Sequence, residues 1–276
     1  MTYTPIIPAT GYAGWKLLNR TMDKQKATFV ASAEIQRDEE YFRARIGTVT
    51  TAEELVSDRR LMKVALGAFG LDADIDNKYF IRKVLEEGTL ASDSLANKLA
   101  DKTYLKFSEA FGFGDFSVPR TALSVFADEI LGKYETRQFE GAVGDSDESL
   151  RLALSIQREL PDLAAGTTSN NARWYSIIAS SSLSTVMQSA LGLPTSIESL
   201  DVDQQLEIYK EKAEAVFGTS DVSELAEADN LERVVRLYLV RTQIDSATSA
   251  TGSSIALQLL QGTSSTSGNT TLSLLL

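Results

Sequence analysis

With 276 residues, 43% hydrophobic content and a formal charge of −11, the chain has room for one large domain or two modest ones. Phosphate backbones and anionic membrane surfaces repel it unless a basic face is segregated, and no basic block longer than Arg59-Arg60 exists to build one, which argues against nucleic-acid binding. The absence of Cys and His removes disulfides, thiolate nucleophiles, Cys-ligated metals and any triad centred on His, leaving carboxylate, Lys, Tyr or Ser chemistry.

Met1 to Thr10 reads as an extended arm, because Pro5 and Pro8 forbid a helix there. The same prolines, and the lack of Lys or Arg before Lys16, make a secretory signal unlike anything in this segment. No run of about 18 apolar residues occurs, so no membrane-spanning helix is expected. Gly11-Tyr-Ala-Gly14 leads into a helix that starts at Trp15 and runs to about Ala33, and a second runs from about Ile35 to Arg45. Thr50-Thr-Ala-Glu-Glu54 holds two overlapping capping boxes, Thr50 with Glu53 and Thr51 with Glu54. They open one helix whose apolar face is Leu61, Val64, Ala65, Ala68 and Phe69, stopped by Gly70.

The next helices run from Asn77 to Glu87, from Ser92 or Asp93 to Leu99, and from Asp101 to Gly112. Another is expected from Arg120 to Lys133, continuing through Val143. Asp147 caps Leu150 to Leu160, which Pro161 ends. Trp174 to Leu191, Asp201 to Phe217 and Leu225 to Ile244 complete the series. No alternating strand or hairpin turn interrupts it. The fold class is therefore all-α, a multi-helix bundle with disordered or extended termini.

One segment recurs. Leu61, Val64, Ala68, Gly70 and Leu71 match Leu183, Val186, Ala190, Gly192 and Leu193 at a constant offset of 122. The pattern implies an internally duplicated helical unit, with a first repeat over 11–130 and a second over 131–245, forming one body. Glu109-Ala-Phe-Gly-Phe113 is a looser third echo. From Ser246 to Leu276 no residue is charged, and 14 of these 31 are Ser or Thr. Within this tail, 262–271 is too polar and simple to order itself, whereas Leu259, Leu260 and Leu272–Leu276 are apolar and fit a contact surface.

Candidate site chemistry is sparse. Asp72-x-Asp74-x-Asp76 opens like a calcium loop, but the sixth and twelfth positions are Asn77 and Lys83, which cannot complete one; an acidic turn capping the helix at Asn77 is the plainer reading. Asp58-Arg59-Arg60 reads as a solvated, partly ion-paired helix face rather than an anion clamp. No phosphate loop or nucleophile elbow occurs. No catalytic residue, cofactor or metal is therefore expected. Trp15 and Trp174 read as core anchors, Trp15 being the better interface candidate because it adjoins the arm. Tyr12, Trp15, Leu259 and Leu260 are the interaction candidates.

The stretch Tyr41-Phe-Arg, Ile46-Gly-x-Val49, Thr50-x-x-Glu53, Ala65-Leu-x-Ala-Phe-Gly-Leu71, Phe80-Ile-Arg-Lys-Val-Leu85, Leu95-Ala-Asn-Lys-Leu99, Gln138-Phe-Glu140, Arg158-Glu-Leu160 and Ala190-Leu-Gly-Leu-Pro194 resembles a bacterial family of unknown function, number twelve-seventeen. The resemblance covers most of 11–240. It implies a mostly helical protein, a tendency to be encoded among flagellar genes, and in some members a flagellar basal-body rod label. It carries no catalytic residues. Composition and resemblance together give the expectation of a non-enzymatic structural or assembly protein of the flagellum. It would be exported without a cleavable signal and would bind flagellar components or copies of itself. A cytoplasmic helical adaptor, export chaperone or regulator is the alternative. An enzyme using carboxylates such as Glu53 or Asp58 is a third reading.

Overall fold

The structure, a computed structural model, describes residues 3–264, with side chains as far as Ser246. All regular structure among these residues is helical, in fourteen α-helices and four 3-10 turns.

The arm does not stand away from the body. Residues 3–9 lie back along α1 (Gly11–Val30), because Gln25 acts as a surrogate backbone partner: its Oε1 accepts from Ile6 N at 2.7 Å and its Nε2 donates to Ile6 O at 3.2 Å. Gly14 lets the chain turn this tightly, since a Cβ there would lie 2.0 Å from Ala9 O. After α2 (Ala33–Arg45) and a 3-10 turn at Ile46–Thr48, the predicted single helix divides into α3 (Ala52–Ser57) and α4 (Arg59–Gly67). Asp58 is the break. It closes α3 in an extended conformation and caps α4 by accepting from Arg60 N and Leu61 N. Of the two predicted capping boxes only Thr51 with Glu54 forms. Glu54 also takes Thr50 N, which frees Glu53 to pair with Arg82.

Then come α5 (Lys78–Glu87), α6 (Leu95–Lys98) and α7 (Thr103–Phe111), the last ended by left-handed Gly112. The helix expected from Arg120 begins only at Phe126, because residues 120–122 form a 3-10 turn. α8 (Phe126–Gly144) and α9 (Glu148–Ala165) form a central antiparallel hairpin, with Gly144 against Arg151 near the turn and Arg137 against Glu159 further along. Pro161 lies inside α9 instead of ending it. Its ring suits helical φ and forfeits one hydrogen bond, which the complete burial of Leu160 helps offset.

α10 (Asn170–Ala179) and α11 (Ser181–Leu191) replace the predicted helix from Trp174 to Leu191, dividing at Ser180. A 3-10 turn at Thr195–Ser199, α12 (Val202–Phe217), α13 (Val222–Leu225) and α14 (Ala228–Ser264) complete the described residues. α14 runs about twenty residues beyond the expected Ile244, because nothing up to Gln261 forbids it: there is no proline and one glycine, Gly252. The expected loose segment 262–271 lies mostly outside the described residues.

Buried side chains from 11–130 and 131–245 form one continuous core, from Trp15 through Tyr134 and Trp174 to Tyr238. α2 and α4 lie on α8, α11 and α14 lie on α9, and α1 bridges α8, α9 and α14. The two segments related by an offset of 122 adopt the same local form. Asp58 and Ser180 each end one helix and cap the next. Each second helix closes with a paired C-terminal motif: Leu71 N to Leu66 O and Gly70 N to Gly67 O in one, Leu193 N to Gln188 O and Gly192 N to Ser189 O in the other. Beyond that stretch the settings differ, α4 lying against α2 and α8, α11 against α9 and α14. The third echo closes differently, with Gly112 N bonded to Ser108 O alone.

Candidate interaction surfaces

Trp15 is fully buried and offers no surface to a partner, contrary to its reading as an interface residue. Trp174 is buried too, its indole N–H donating to Ser220 O at 2.8 Å. Tyr12 is half-buried and donates to Glu232 Oε1 at 2.8 Å, sharing that oxygen with Lys16. Burial raises the Glu232 carboxyl, but the hydrogen bonds from Lys16 and Tyr12 outweigh it and hold the group below its ordinary value. Tyr12 thus ties α1 to α14. The side chains of Leu259 and Leu260 lie outside the described residues.

The acidic motifs have internal partners. Asp72 accepts from Gln138 Nε2 at 2.9 Å, Asp74 from Tyr104 Oη at 2.6 Å, and Asp76 pairs with Arg59 at 2.6 Å. The turn is therefore stitched to its neighbours, and Asn77 starts α5 without a side-chain cap. Asp58 accepts from Tyr41 Oη at 2.6 Å, and the Arg60 guanidinium lies 3.8 Å over the Tyr41 ring. The carboxylates first considered for catalysis, Glu53 and Asp58, both serve structure. Among the described residues no cluster of three or more His, Cys, Asp or Glu side chains can hold a metal, and no helix is long and apolar enough to cross a membrane.

Two surface features remain. The first is a cleft of about 800 Å3 between α7, α8, α9 and the α10–α11 junction. Arg158 forks onto Glu140 through two 2.8 Å bonds, and Arg137 and Arg158 each reach Glu159 at 3.2 Å. Burial, and then the adjacent Arg158 charge, lower the Arg137 guanidinium, while Glu140 and Glu159 overcome burial to raise Arg158. Two cations and two anions neutralise each other here, so this part of the cleft is a structural brace.

The second is an apolar patch at the N-terminal end of α8. Phe116, Val118, Leu123 and Val125 are 54%, 67%, 52% and 54% exposed. The segment is held rather than loose. Asp115 accepts from Thr89 N at 2.6 Å and Leu90 N at 3.2 Å, Pro119 is buried, and buried Thr121 donates to Val49 O at 2.6 Å. Leu90, 77% exposed, is joined to the segment through its backbone N–H on Asp115. Sequence reasoning missed this patch because Leu123 and Val125 fell within the helix expected from Arg120, which begins only at Phe126, and Phe116 and Val118 fell in the connection before Pro119.

Comparison with known proteins agrees with the fold. A crystal structure of protein AGR_C_984 from Agrobacterium tumefaciens is similar, with a TM-score of 0.72 and 22% identity over 88% of this chain and 99% of that one; at this identity the likeness speaks for fold alone. No curated protein matches. The family model described as a protein of unknown function (DUF1217) matches residues 68–231, more than half of the chain. That span runs from the end of α4 into the start of α14 and takes in the cleft walls, the Arg–Glu brace and the patch, and on this match the chain belongs to the DUF1217 family.

Proposed function

We propose that this protein is a non-enzymatic structural or assembly component that works by binding other proteins. The observation that carries the reading is the apolar patch of Phe116, Val118, Leu123 and Val125, exposed yet held by Asp115 and Thr121. Exposed apolar groups fixed in place mark contact surfaces. The bacterial flagellum is the setting that the family resemblance implies, and the recurrence at an offset of 122 fits duplication of an architectural unit. Localisation tests this. Cells with and without a working flagellar export gate are fractionated and probed for the protein through an internal tag at Gly144. Protein outside the membrane only when the gate works supports the reading; protein retained inside in both overturns it.

The cleft favours a second reading, a helical adaptor that holds a segment of an export substrate inside the cell. Its walls combine apolar Phe69 and Leu183 with Lys106 and Lys133, a mixture suited to a peptide. Co-purification of a substrate from the cytoplasm, lost on Lys133→Glu, distinguishes it.

A further inference from the structure

We infer that two copies of this chain pair about a two-fold axis, the apolar patch at 116–125 of one copy lying on the same patch of the other. This rests on the reading of the protein as an assembling component and names its partner as a second copy of the protein.

The patch is fixed before anything meets it. Asp115 N and Phe116 N both bond to Gly112 O, at 3.3 and 3.1 Å, and the Phe116 ring lies so close to Gly112 that a Cβ there would sit 2.7 Å from Phe116 Cδ2. Gly112 thus seats one side of the ring while the rest stays exposed. Ala122 N then bonds to Pro119 O, and Leu123 N to Arg120 O. These turns sink Pro119 and Thr121 into the body and leave 116–118 and 122–125 exposed on either side of them. A surface held this way loses little conformational freedom on contact, and aromatic side chains such as Phe116 are enriched at the cores of interfaces.

Charge narrows the choice of occupant. The exposed residues of 116–118 and 122–125 are Phe, Val, Leu, Ala and Ser only. Arg120, the one charged side chain of the segment, lines the neighbouring cleft together with Glu129 and pairs with it at 3.6 Å. Asp115, at the edge, is taken up by Thr89 N, Thr89 Oγ1 and Leu90 N. A charged partner laid here would give up hydration and find no counter-charge. A second copy brings a matching neutral, apolar face. Two bodies of formal charge −11 also repel least where neither presents charge.

The area suits a reversible dimer. Four apolar side chains at 52–67% exposure present roughly 400 Å2, and the two-fold doubles this to roughly 800 Å2 of apolar core. Ser117, Ala122, Ser124 and Leu90 on each copy add a border that carries the total past the ~1,000 Å2 of a specific interface, well under the ~2,000 Å2 and more of obligate dimers. Each copy already has a continuous core of its own, so pairing follows concentration. Because one patch serves both copies, the contact is isologous and closes at two.

The test is sedimentation velocity of full-length chains over about a hundred-fold range of concentration. The unmodified chain should pass from the monomer mass of 30.1 kDa to twice that and no further. Val118→Asp/Leu123→Asp and Val118→Lys/Leu123→Lys should each stay monomeric, because each sets like charges together across the axis. Mixed in equal amounts they should recover the dimer, since the facing charges are then opposite. An unmodified chain that stays monomeric overturns the proposal and leaves the patch to a different protein. Growth beyond a dimer overturns it too, as does either variant pairing like the parent. A mixture that stays monomeric does the same, because the patch would then meet some other surface. Hydrogen exchange in the unmodified chain adds a measurement that no misfolded variant can disturb. Amides of 115–125 should exchange several-fold more slowly at the highest concentration than at the lowest, and equal rates overturn the contact. The localisation result is read without reference to mass, so the two readings fail separately.

Discussion

Trp15 shows how far a side chain's role depends on what folds over it. In sequence it stands beside the arm and looks available. In the structure it is fully buried, and the arm is fixed to α1 through Gln25. Trp15→Ala is therefore expected to cost about 3–5 kcal/mol of unfolding free energy, as truncation of a large buried side chain does. Urea unfolding measures this, and unchanged stability with weakened assembly would restore Trp15 as an interface residue. Glu39 makes a second prediction at this scale. Burial, and then the neighbouring Glu135 carboxylate, push it from near 4.5 to about 7. The folded chain therefore keeps a proton that the unfolded chain releases first, so stability falls as pH rises from about 4.5 to about 7. Glu39→Gln removes that loss. The variant should match the parent below pH 4.5 and exceed it above pH 7, by less than the full shift implies because water still screens the group. A difference between the two proteins that is flat across pH would sink this assignment.

At the scale of elements, the helix ends were legible because capping is local. Asp147 caps α9 as read, Asp201 caps α12 at the residue where that helix was expected to start, and Gly112 and Gly192 stop α7 and α11 in left-handed conformations. The interruptions at Asp58 and Ser180 were not legible, because an apolar face continues across each. What breaks the helix is the side chain turning to cap the next one, which Tyr41 reinforces at Asp58. The start of α8 was missed for a related reason: Thr121 spends its hydroxyl on Val49 O, a contact 72 residues away. The apolar patch was invisible because exposure is a property of the fold and not of the residue. The paired glycines give a prediction at this scale. Both have positive φ, +74° at Gly70 and +69° at Gly192, so Ala at either should cost about 1–2 kcal/mol. Gly192→Ala should cost more. Its Cβ would lie 2.5 Å from Arg241 Nη1, a group that also donates to Ser189 O and Ala190 O, whereas the Gly70 Cβ would find Arg137 no closer than 3.4 Å. Thermal unfolding of the two variants gives the order, and equal costs would mean that Arg241 yields freely.

For the whole molecule the controlling quantity is charge. Each copy carries a formal −11, yet the exposed apolar segment 116–125 holds one charged side chain, Arg120, already paired. Two terms then oppose each other during association. Apolar burial draws the copies together with little dependence on ionic strength, while like-charged bodies repel over the Debye length, about 30 Å at 0.01 M salt and about 8 Å at 0.15 M. Repulsion between two bodies therefore reaches well beyond their contact at low salt and is confined to the immediate surface at physiological salt. Contact between copies through this segment is therefore expected to tighten several-fold between these two conditions, and to tighten further in sulfate, which strengthens apolar burial. Sedimentation equilibrium across a sodium chloride series reads the effect directly. An interface built on ion pairs would weaken over the same range, because screening removes attraction instead of repulsion, so the sign of the salt dependence decides between the apolar contact and an electrostatic one.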